Sequence, residues 1–209
     1  MSVPTIPVSE PNAQPEPLSE PTEDPAEHRI TESRPLGELL PTGTLRAVVV
    51  ATGLALVAAS FAVFGFSGKA LLGAVFCPTL VLLAVIDAKH KLLPNAIILP
   101  ASLAIGLIVA ASTPGSFLWH LAAGAALGGF FFVFGTIFAG SLGMGDAKLG
   151  FLIGLALGSQ TFGAAIIAFA GLLIAALYVL ATRGTSARKD AIPFGPFLAL
   201  GGILTFFLS

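Results

Sequence analysis

From residue 45 to residue 209 the chain is a succession of apolar runs, cut by short breaks that carry its few charges and many of its prolines. A helix rises about 1.5 Å per residue, so roughly 17–25 apolar residues cross the hydrocarbon core of a bilayer. By that length the runs predict seven membrane segments, at about 45–65, 70–87, 95–112, 117–139, 148–158, 161–182 and 192–208. The fifth is short. Glycine and proline recur inside the runs, which membrane helices tolerate when neighbouring groups satisfy the freed backbone. The fold class expected is therefore all-α, a polytopic bundle of about seven transmembrane segments. Residues 1–44 follow another pattern, rich in Pro, Glu, Ser and Thr and nearly free of aromatics. Such a stretch buries too little apolar surface to offset its ordering entropy, so it is expected to be a disordered tail preceding a membrane domain over 45–209. It has no basic start followed by an apolar middle, and so does not read as a cleavable signal sequence.

Composition sharpens the assignment. Of 209 residues, 56% are hydrophobic and 10% charged, with a mean hydropathy of +0.95; a soluble domain carries about 25% charged residues. The net charge of −1 conceals an asymmetry: residues 1–44 hold eight of the eleven acidic residues, and the remainder holds eight bases against Asp87, Asp146 and Asp190. Those bases set the orientation expected. Lys89 and Lys91, then Lys148, then Arg183, Arg188 and Lys189 mark connections that seven spans place on one side, whereas the opposite connections hold only Lys69 and His120. Positive charge stays inside, so the three basic connections and the N-terminal tail are expected to be cytoplasmic and the C-terminus outside. Trp119 beside His120 reads as an anchor at the outer interface, and His90 as a polar residue at the inner one. The single cysteine, Cys77, lies within an apolar run and can form no disulfide within the chain; no CxxC pair is present for zinc. Neither metal nor cofactor is expected, and the bilayer, not nucleic acid, is the expected surroundings.

Three carboxylates remain in the membrane part. Asp190, among Arg188 and Lys189, reads as a surface charge. Asp87, in LAVIDAKHKLLPN, and Asp146, in GSLGMGDAKLG, each stand at the cytoplasmic end of an apolar segment and at similar depth. Ionisable groups at such places tend to face the protein interior and mark function. Simpler readings exist for each alone. Asp87 can pair with Lys91 four residues on, and Asp146 can sit favourably at the start of the fifth helix. Neither explains the shared depth. Two carboxylates held close share a proton and titrate as a pair. One can then activate water while its protonated partner polarises a peptide carbonyl. Gly143 and Gly145, lacking Cβ atoms, suit close approach of a substrate backbone. The two aspartates are 59 residues apart, so only the fold can bring them together.

The sequence Asp87 to Asn95, with its KLLPN ending, then GMGDAKLG, then IPFGPFLALGG at 192–202, resembles the type IV prepilin peptidases, membrane aspartic peptidases with a GxGD motif. The likeness covers about residues 70–208. It implies that Asp87 and Asp146 are the catalytic pair and that the substrate is a type IV pilin-like precursor. The implied precursor has a short basic leader before a hydrophobic segment and is cut on the cytoplasmic side of the inner membrane. Longer relatives carry a cytoplasmic insertion with paired cysteines and methylate the new N-terminus; this sequence has no such insertion, so peptidase activity alone is expected. Lys89, Lys91 and Lys148 are candidate substrate contacts, although topology explains them without one. Pro193, Phe194, Gly195 and Pro196 are candidate lining of the substrate groove by the same resemblance. Pro94 with Asn95, and Pro193 with Pro196, are expected to start the third and last helices.

Other classes compete. Presenilin-like peptidases also use GxGD, but carry Tyr before the first aspartate and a PAL motif near the end; here Ile86 and IPFGPF stand instead. A small transporter would use the aspartates as proton or cation sites, yet no matched pair of broken helices is evident. A non-catalytic pilus-assembly protein is the remaining alternative. The oligomeric state is not legible.

Overall fold

A computed structural model describes residues 36–137, 144–183 and 193–209. The expected disorder of the tail falls almost wholly on residues outside that set, as do Gly143 and Asp190. Apart from a single helical turn at Leu36–Leu39, the described chain forms seven helices: α1 (Gly43–Phe64), α2 (Gly68–His90), α3 (Asn95–Ser112), α4 (Phe117–Ile137), α5 (Met144–Leu157), α6 (Thr161–Arg183) and α7 (Gly195–Leu208). No strand occurs among the described residues. The helical membrane bundle read from the apolar runs is the observed architecture.

Local chemistry places the breaks. Gly65, with φ of 63°, ends α1, and the Ser67 hydroxyl then accepts from the Ala70 N–H at 3.2 Å to start α2. Pro94 precedes the first residue of α3, and the Thr113–Pro114 step ends it. Gly158, at φ 57°, turns the chain between α5 and α6 through a short 3-10 segment. The pairs α1–α2, α4–α5 and α6–α7 each pack antiparallel. Helices α1 to α4 and the apolar stretch Met144–Thr182 have the length and hydropathy to cross a membrane.

Two boundaries differ from the sequence reading, and both matter. The connection expected at 140–148 is shorter, because α5 begins at Met144 and takes Asp146 and Lys148 into its first turns. An acidic residue in a first turn is favoured by the helix dipole. At the other boundary, α2 runs on past Asp87 to His90. It ends where Lys91 adopts the left-handed conformation and its N–H closes on the Asp87 carbonyl at 2.8 Å.

Lipid offers no hydrophobic drive between helices, so packing depends on close approach at small residues. The α4–α5 pair shows this most strongly. A Cβ on Gly128 would lie 2.8 Å from the Ala147 carbonyl oxygen, and one on Gly154 would lie 2.5 Å from that of Ala123. Gly201 of α7 meets the Ala164 carbonyl of α6 in the same way. Between these pairs α2 contributes the fully buried Phe76, Leu80, Leu83 and Ile86, which join Leu149, Leu152, Ile153, Leu198 and Phe206 in one core. At the end remote from the aspartates, the Lys69 ammonium donates to the Ser209 carbonyl at 2.6 Å and lies 4.4 Å from the Phe64 ring centre. His120 Nδ1 lies 2.9 Å from the Leu155 carbonyl, and its ring lies close over Gly158.

Candidate active site

α5 and α7 have 14 residues each. At 1.5 Å per residue that is about 21 Å, short of a hydrocarbon core of roughly 30 Å. Both short helices begin at the end of the bundle where α2 finishes, and their first turns surround the candidate chemistry.

Asp87 is only 6% exposed. Its Oδ2 accepts a hydrogen bond of 2.9 Å from the backbone N–H of Gly195. The start of α7 explains why that donor is free. Phe197 and Leu198 N–H both donate to the Phe194 carbonyl at 3.1 Å, Pro196 has no N–H, and Gly195 is left to find a partner outside its own helix. Asp87 supplies it. A buried carboxylate is costly unless hydrogen-bonded, and a helix N-terminus adds favourable partial positive charge. The carboxylate faces the buried Gly195, and the exposed Lys91, four residues on, adds a favourable charge nearby.

Gly195 also needs its lack of a side chain. A Cβ there would lie 2.6 Å from Asp87 Oδ2 and 2.9 Å from its carboxyl carbon. Phe194, read as a candidate groove residue, instead anchors this turn in the core. It is 6% exposed, with its ring centre 5.3 Å from that of Phe131 and 5.5 Å from that of Phe169. Pro193 and Pro196 are half-buried beside it.

Asp146, 9% exposed, lies in the first turn of α5. Two contacts tie that turn to the chain just beyond Asp87. Gly145 approaches Leu93 so closely that a Cβ would lie 2.7 Å from the leucine Cβ. Lys148 Nζ donates to Asn95 Oδ1 at 2.6 Å, which gives this lysine a structural partner at the start of α3. The end of α2, the turn after it and the first turns of α3, α5 and α7 are thereby joined, and both buried aspartates belong to this one assembly. Lys89 and Lys91 are exposed around it. A cleft of about 350 Å³ opens at the first turns of α5, next to the turn that carries Asp146, lined by Leu99, Gly129, Phe132, Met144, Ala147 and Phe151 among others.

Sequence reasoning missed what Gly195 does to Asp87. A backbone N–H leaves no side-chain signature. The usable signal was the Gly-Pro pair opening a helix: proline at the second position removes one donor and leaves the glycine N–H as the one that needs an acceptor.

A multi-pass membrane helix bundle with two buried carboxylates near one end defines a narrow class, and comparison with known proteins places the chain within it. Residues 74–180 match the type IV leader peptidase family, and the chain belongs to that family. It is 33% identical over 186 residues to a prepilin leader peptidase/N-methyltransferase of Bacillus subtilis (strain 168), covering 86% of this chain and 67% of that protein. A protein of the same description from Burkholderia pseudomallei (strain 1026b) is 33% identical over 178 residues, 81% of this chain and 56% of that one. Another, from Dichelobacter nodosus, is 34% identical over 142 residues, 63% of this chain and 46% of that one. The chain thus spans between about half and two thirds of these relatives. No solved structure matches it.

Proposed function

We propose that this protein is a membrane aspartic endopeptidase that removes the basic leader from type IV pilin-like precursors at the cytoplasmic face. Asp87 and Asp146 form the catalytic pair. The carboxylate member takes a proton from water as its oxygen attacks the scissile carbonyl carbon, and the protonated member donates a hydrogen bond to the carbonyl oxygen. Collapse of the tetrahedral intermediate breaks the C–N bond, and a proton passes to the leaving amine. The observation that carries this reading is the burial of two carboxylates in a single helix-end assembly, in a chain of the leader peptidase family. Lys89, Lys91 and Lys148 around that assembly support a cytoplasmic placement by the positive-inside rule. Gly145 packs onto Leu93, so the space its missing side chain leaves is taken by the protein itself and ties the start of α5 to the turn after α2.

Co-expression with a precursor carrying a short basic leader, a glycine and then an apolar run tests the reading directly. Conversion to a shorter product, seen as a mobility shift, is expected; an unprocessed precursor would return the chain to the transporter or assembly classes.

The precursor's apolar segment reaches the site from the bilayer through the cleft beside Asp146. Gly129 lines that cleft, and nothing lies within 4 Å of a Cβ built on it, so a larger residue fits the free protein. Gly129→Leu is expected to raise KM for the precursor about tenfold, equivalent to leaving one or two methylene-sized groups of the substrate unburied at roughly 0.8 kcal/mol each. An unchanged KM would move the substrate path elsewhere.

Peptidase activity alone is the activity proposed for these 209 residues: their one cysteine, Cys77, is buried within α2, and the paired cysteines that the prepilin-peptidase likeness ties to N-methylation are not among them. Purified protein given processed pilin and S-adenosylmethionine is expected to transfer no methyl group; radiolabel on the new N-terminus would overturn this.

A further inference from the structure

We propose that Gly195 is a positioning residue for catalysis: its backbone N–H fixes the orientation of the Asp87 carboxylate, and its missing side chain leaves the space that carboxylate occupies. The proposal rests on Asp87 being one of the catalytic pair. The family match ends at residue 180, so it assigns Gly195 no role.

Three features converge on this residue. First, the 2.9 Å hydrogen bond joins groups 108 residues apart and is buried, so water cannot replace it cheaply. Second, the donor is directional. Gly195 opens α7, whose next residue is proline, and its N–H, which has no acceptor within that helix, points at Asp87. Third, the fit is tight on the carboxylate itself. A methyl group on Gly195 would come within 2.6 Å of Asp87 Oδ2 and 2.9 Å of its Cγ, both closer than a Cβ tolerates, and would press on its Cβ at 3.0 Å. Phe194 holds the start of α7 in a three-ring cluster with Phe131 and Phe169, which resists a backward shift of that end. Whatever substituent is added at 195 must therefore be accommodated by Asp87.

The consequence is specific to chemistry. Water activation needs the carboxylate oxygens held to a fraction of an ångström, and a misplacement of about 1 Å can cost on the order of a hundredfold in rate. Substrate binding along the cleft beside Asp146 involves other residues. Gly195→Ala is therefore expected to lower kcat by about tenfold or more, while KM for the precursor stays close to the wild-type value. Gly202→Ala is the matched control on the same helix. Its Cβ would meet the Leu80 side-chain end at 2.9 Å, far from Asp87, so it perturbs α7 packing without touching the carboxylate. Lowered thermal stability with kcat retained is expected there.

A second measurement probes the contact without any change at 195. Asp87→Asn keeps an oxygen that can accept from the Gly195 N–H, whereas Asp87→Ala leaves that donor buried and unpaired. Asp87→Ala is expected to melt several degrees below Asp87→Asn in detergent. If Gly195→Ala does not accumulate, this comparison decides. Equal melting of the two Asp87 variants, or wild-type kcat in Gly195→Ala, would overturn the proposal while leaving the peptidase reading intact. A wild-type protein that cleaves no precursor would instead remove the reading on which the proposal stands.

Discussion

Asparagine at position 87 or at position 146 is expected to abolish precursor cleavage, while the protein still inserts, purifies and melts like the wild type. The substitution keeps the size and the planar head of the side chain but cannot exchange a proton with water. At position 87 it also keeps an acceptor for the Gly195 N–H, so the start of α7 remains satisfied and a loss of activity cannot be put down to a disordered helix end. At position 146 the side chain stays in the first turn of α5, where the neighbouring anchors, Gly145 against Leu93 and Lys148 on Asn95, do not involve it. Loss of a general acid or base costs about 10²–10⁴-fold in rate, and both members of a shared-proton pair are needed, so each single variant should fall by at least about a thousandfold. Cleavage of a purified precursor, followed by mass and compared with thermal melts of the same preparations, checks this. Activity retained by either variant would sink the pair. If Asp146→Asn alone stayed active, Asp146 would be only a charge at a helix N-terminus, the simpler reading its place in the first turn also permits.

What the sequence made legible follows from the kind of signal each feature leaves. Apolar run length follows from bilayer thickness, so the long helices were directly visible, while α5 and α7, with 14 residues each, were delimited by the glycine-, proline- and charge-bearing breaks beside them. Prolines at 94 and 196 marked helix starts because a first turn has no use for the N–H that proline lacks, whereas Pro78 and Pro100 lie inside α2 and α3 and mark no boundary. The end of α2 was harder. Lys89 and His90 look like a polar connection, yet the helix runs through them and stops only at Lys91. The start of α5 was masked by Gly-Met-Gly, a poor helix-former in isolation. It is helical from Met144 because Gly145 packs onto Leu93 and Ala147 onto Gly128, and tertiary contact outweighs propensity. For the site, the carboxylates announced themselves by being charged in an apolar setting. Their surroundings did not: the hydrogen bond to Asp87 comes from a main-chain group 108 residues away. Lys148 shows the converse case: its charge is explained by topology and is also a candidate substrate contact, and the structure adds a hydrogen bond from its ammonium to Asn95 that the charge alone does not reveal.

The position of Asp146 depends on how closely α5 lies against α4, and disturbing that seam is expected to have the second large effect. Gly154→Ala should destabilise the protein and reduce cleavage, although it lies two helical turns from the aspartate and adds a single methyl group. That methyl would sit 2.5 Å from the Ala123 carbonyl oxygen and 2.6 Å from the backbone nitrogen and Cα of Gly124. These are main-chain atoms of α4, so no rotamer change relieves the clash and the helices must separate. Gly124 and Gly128 face α5 with similar tightness, so the separation propagates along the whole seam instead of remaining local. Overpacking of this kind costs about 1–3 kcal/mol in well-packed interiors. Because α5 carries Asp146 in its first turn, about 12 Å along the same rigid rod, the shift reaches the site as a displaced carboxylate. Gly129→Ala is the internal control, one residue beyond the seam, where nothing lies within 4 Å of the new methyl. It should melt like the wild type. Thermal melts of both variants in one detergent read the comparison directly. If Gly154→Ala were as stable as Gly129→Ala, α4 and α5 would not approach at main-chain distance, and the means by which this fold brings Asp146 up to the end of α2 would have to be sought elsewhere.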